Sequence, residues 1–123
     1  EASNVFPQVW QTKGIVDAMV AIDDATEHLK DIQQAGWQTP ADHPDLVPAA
    51  EAGRLADLLR NLQDDADVKA EPRELTDWML ESAADASKLE AMIVSGDTKP
   101  ALLDAQFKVI RDACSTCHVK YRN

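Results

Sequence analysis

The sequence predicts an all-α fold, an antiparallel up-down-up-down four-helix bundle, on three observations. Ala, Leu, Asp, Glu and Lys dominate while glycine is scarce, and apart from Asp these residues lose little side-chain entropy in a helical turn. Four segments carry apolar residues at alternating steps of three and four. The three connections between them are short, which makes sequential helices antiparallel neighbours. At 123 residues the chain reads as one domain, 1–123, large enough to bury a core without disulfide staples.

The first predicted helix starts near Pro7 and runs to about Ala35, where Gly36 stops it. Its apolar stripe is Ile15, Met19, Ile22, Ala25, Leu29 and Ile32. "WQTPADHPD" holds two prolines and turn-forming Asp, hence a loop. A second helix spans about Leu46 to Asp64, with Leu55, Leu58, Leu59 and Leu62 inward. "DDADVKAEP" reads as a polar connection. A third helix follows Pro72 and ends at about Ser95, with Gly96 as its cap. Its stripe of Leu75, Met79, Ser82, Ala86, Leu89 and Ile93 has small central residues, which let a bulky group approach the backbone. Asp97 or Thr98 is expected to cap the fourth helix, with Pro100 in its first turn. The inner face of that helix is Leu103, Phe107, Ile110, Cys114, Cys117 and Tyr121.

Twelve basic against 22 acidic residues give a net charge of -10. A phosphate backbone or an anionic membrane surface is repelled by such a field. Charge of this sign reads first as a solubility device and second as an attraction for a basic protein. No apolar run approaches the roughly 20 residues of a membrane span. No leader precedes "EASNVFP", so the chain reads as a mature form.

Both cysteines fall in the last twelve residues, "DACSTCHVKYRN", as Cys114, Cys117 and His118 in a C-x-x-C-H arrangement. This spacing points to one covalently attached c-type haem. Positions three apart share a helix face, so both thiols reach the two vinyl groups of one porphyrin. His118, four residues after the first cysteine, then reaches the iron as proximal ligand. A disulfide, a thioredoxin-like redox pair and a zinc site compete with this reading. The disulfide conflicts with two sulfurs on a regular helix, and the redox pair normally follows a strand. Zinc needs four ligands, and only His28 and His43 remain to complete a set.

"CSTCHVKYR" at 114–122, "SGDTKPALLDAQFKVIRDAC" before it and "RELTDWMLESAADASKLEAMI" earlier resemble the class II c-type cytochromes, the cytochrome c′ and c556 family. The likeness covers about the last 50 residues well; the first half matches in length and helix order. It implies a haem between the helices near one end of the bundle, and Arg122 close to the His118 ring. Members often dimerise through the first two helices, so a homodimer is an expectation to test. Haem attachment of this kind occurs outside the bacterial cytoplasm, which implies a periplasmic location.

In the resembled family the residue opposite His118 comes from the first helix, and the matching position here is Met19. Met79 and Met92 read as core, and His28 and His43 as surface histidines. Many members carry an arginine four residues before the distal position; here it is Ile15, which leaves Lys13, Arg54 or Arg60 to meet the haem propionates. With Met19 on the iron the expected function is low-spin, His/Met one-electron transfer between redox protein partners. With no ligand there, the protein is a five-coordinate, high-spin binder of nitric oxide or carbon monoxide. A third reading is a haem domain serving a larger enzyme complex. No acid–base pair accompanies the haem, so the chain is not expected to be an enzyme itself.

Overall fold

The computed structural model of the chain describes residues 14–118, and these are all-helical, with no strand among them. They form α1 (Ile15–Gln34), α2 (Pro48–Asn61), a short α3 (Ala66–Lys69), α4 (Arg73–Ser95) and α5 (Pro100–Cys117); a 3-10 turn, Leu62–Asp64, extends α2. α2 packs against both α1 and α4, and α5 packs against α4. The expected start near Pro7, together with Lys13, Tyr121 and Arg122, lies outside the described residues.

The apolar stripes become the core. Ile22, Ala25, Leu29 and Ile32 of α1, Leu55 and Leu59 of α2, Leu75, Met79 and Leu89 of α4, and Leu103, Phe107 and Ile110 of α5 are all buried. Small side chains set how closely α2 and α4 approach: Ala52, Ala56, Ala83 and Ala86 are buried there. A β-carbon added at Gly53 would stand 2.7 Å from the Glu90 carboxylate.

Three expectations at element ends change. The polar connection contains α3, because the Asp65 carboxylate accepts from the backbone N–H of Asp67 and Val68 while Val68 is wholly buried. The second helix proper begins at Pro48 rather than Leu46, and Leu46 is buried ahead of it. Lys99, not Asp97 or Thr98, precedes α5 and makes no side-chain cap. The Thr98 hydroxyl instead donates to the Met92 carbonyl, serving the end of α4. Gly96 caps α4 as expected, at φ 76. Gly96→Ala is therefore expected to cost roughly 1 kcal/mol, read as a lower urea midpoint.

Gly36 ends α1, and the turn after it places Trp37 at φ 67, an outlier for a bulky side chain. Its N–H donates to the Ile32 carbonyl at 2.8 Å, and its indole donates to Asp104 at 2.9 Å. The ring meets Phe107 edge-on, centroids 5.8 Å apart. The Gln33 amide also donates to Asp104, and together with the indole it holds that carboxyl below its ordinary range. A lowered carboxyl contributes stability above its unfolded pKa, about 4, and loses it as pH falls through the folded value. Asp104→Asn should therefore lower the urea midpoint near neutrality, with the gap to the parent closing below about pH 4.

Candidate functional site

The site is built at the end where α5 finishes and α1 begins. Along α5, Cys114 and Cys117 stand three residues apart on an unbroken helix, and the backbone continues in helical conformation through His118. The His118 N–H donates to the Cys114 and Ser115 carbonyls, which fixes the last turn. Cys117 is buried and Cys114 half-buried, and neither is in a disulfide. Burial pushes both thiols above their ordinary pKa; the neighbouring Cys117 and Asp23 add to the effect at Cys114.

Both cysteines and His118 line one open cavity of about 410 Å³, bordered by α1, α2, α4 and α5. Met19, Ile22, Leu59, Trp78, Met79 and Ile110 give it apolar walls. Ser82 lines it as well, so one of the small α4 residues does face open space, whereas Ala86 is buried elsewhere. A second cavity, about 340 Å³, shares Met19, Asp23, Met79, Cys117 and His118 with the first and opens along Ile15, Val16, Val20 and Leu75. Met19 therefore sits where the two meet.

Comparison with family models, curated proteins and solved structures finds no match for this chain.

Four of the five sequence-derived site residues, Met19, Cys114, Cys117 and His118, share this wall; Arg122 lies outside the described residues. His28 and His43 do not join them. His28 bridges α1 and α2, its Nδ1 2.7 Å from Glu51 and its Nε2 3.6 Å from Asp24, while His43 stands beside Asp42 in the loop. Among the described residues no group of three or more His, Cys, Asp or Glu side chains is placed to hold a metal ion.

The arginines expected to face the propionates are occupied elsewhere. Arg54 pairs with Asp24 at 3.1 Å and Arg60 with Asp57 at 2.7 Å, and neither lines a cavity. The cations on the wall are instead Lys30, paired with Glu27, and Arg111, which lies 5.6 Å over the Phe107 ring and pairs with no carboxylate among the described residues. Sequence reasoning missed Arg111, although its place three residues before Cys114 puts it on the same helix face. Met79 is buried in the core as expected and also lines both cavities.

Proposed function

We propose that this chain is a monohaem c-type cytochrome, a four-helix bundle of the class II kind that carries single electrons, with His118 and Met19 as the residues that would ligate the iron. The observation that carries the reading is the shared wall: two thiols on one helix face, an imidazole and a thioether border the same apolar space. Haem iron, once bound, supplies the chemistry by alternating between ferric and ferrous states.

The chain's own residues do the rest. Cys114 and Cys117 would hold the haem covalently, each through one thioether bond. Their raised pKa keeps both sulfurs protonated beforehand. His118 would supply a nitrogen ligand to the iron, and the Met19 thioether, as a ligand, would favour the ferrous state and raise the potential. Ile22, Leu59 and Ile110 offer the haem an apolar wall, and Arg111 and Lys30 are the cations available to the haem carboxylates. The reading carries with it a periplasmic location, redox protein partners and no catalysis of the chain's own; no described helix is long and apolar enough to cross a membrane.

Expression in cells equipped for c-type cytochrome maturation tests this. The purified chain should be red, and its haem should stay with the polypeptide through a denaturing gel. Cys114→Ser/Cys117→Ser should lose that covalent stain entirely. A colourless parent, or haem that acid butanone extracts from it, overturns the proposal.

A further inference from the structure

Two of the most exposed large apolar side chains of the described residues, Val16 at 72% and Val20 at 64%, lie one turn apart on the outside of α1. Both also line the second cavity, which His118 and Met19 share. Helical register surrounds Val20 with Asp17, Asp23 and Asp24 at the three- and four-residue spacings. Asp24 is engaged by Arg54, but Asp17 and Asp23 pair with no cation among the described residues. The whole of α1 carries five carboxylates, Asp17, Asp23, Asp24, Glu27 and Asp31, against Lys30 alone. Val94, Leu102 and Val109 are exposed too, but they border neither cavity.

We propose that this face of α1 is the docking site for a basic protein surface with an apolar centre, the redox partner of the chain; the redox role, though not the face itself, rests on the electron-carrier reading above. The chemistry selects the occupant. Apolar side chains at the middle of a patch gain by losing water, while the carboxylates around them draw a cationic surface in and set its register. A second copy of the chain, itself of net charge -10, would set the same carboxylates against this face, and like charges set opposite one another are penalised. A partner seated over Val16 and Val20 stands beside the cavity that His118 and Met19 border.

The test is calorimetric titration of the purified full chain at low salt with two probes, an amphipathic lysine–leucine peptide and oligolysine. Asp17→Lys should weaken both by about tenfold, whereas Asp42→Lys, the same charge change in the loop after α1, should alter binding less than about twofold. Val16→Ser/Val20→Ser should weaken the amphipathic peptide by about tenfold and leave oligolysine within about twofold. Equal losses at Asp17 and Asp42 would mean diffuse charge attraction and overturn the proposal, as would a valine variant that binds the amphipathic peptide normally. A dimer in sedimentation that Val20→Ser dissolves would assign the face to a second copy instead. Absorbance of the same samples reports covalent haem separately, so a chain without haem removes the electron-carrier reading while the titrations still decide the face.

Discussion

On the proposed electron-carrier reading, Met19→Ala should turn a low-spin ferrous protein that ignores carbon monoxide into a high-spin one that takes it up at once. Alanine places no sulfur on the wall where the two cavities meet, so an iron held by His118 would keep an open sixth position. The effect is all-or-none in the visible spectrum, and it separates the two functional readings. A parent that is already high-spin and binds the gas is a five-coordinate binder of nitric oxide or carbon monoxide, not an electron carrier. Identical spectra for mutant and parent would mean that Met19 is no ligand. Met79→Ala then puts the same question to the other sulfur on the wall, whereas Met92 lines neither cavity.

Phe107→Ala should remove about 3–5 kcal/mol of stability, a large share of the 5–15 that a domain of this kind possesses. Phe107 is wholly buried on α5, with the Trp37 edge on it at an interplanar angle of 88° and the Arg111 guanidinium over its ring. Truncation leaves a cavity that packed helices close only in part. Urea unfolding of the purified protein measures the loss, and Val109→Ala, on the exposed side of the same helix, should stay within about 0.5 kcal/mol. A loss below about 1.5 kcal/mol for Phe107→Ala would mean that the ring is not a fixed point of the core.

What could be read from the chain alone was whatever repeats locally. Ile22, Leu29 and Ile32 announce a buried helix face by spacing, and Gly96 announces a left-handed cap because only glycine adopts it without strain. Cys114, Cys117 and His118 are legible because their geometry lies within one turn and a half of helix. The missed features depend on partners distant in sequence. Nothing near Trp37 says that a loop tryptophan will be buried, because Asp104, which accepts a hydrogen bond from its indole N–H, is 67 residues away. Val68 looks like one apolar residue in a polar run until the core it enters is known. The cations beside the cavity follow the same logic: Arg54 and Arg60 pair with Asp24 and Asp57, and packing rather than pattern brings Arg111 to the wall.

Asp104, Phe107, Arg111, Cys114 and His118 follow one another along α5 at steps of three and four. At the helical rise, Asp104 and His118 are about 21 Å apart, yet two heptads of drift turn them only about 40° around the axis. Trp37 grips the near end of this line through a hydrogen bond and a ring contact. α5 therefore cannot rotate about its own axis without breaking that grip. The azimuth at which the two thiols and the imidazole face the cavity is thus a phase angle, set at one end of the helix and used at the other.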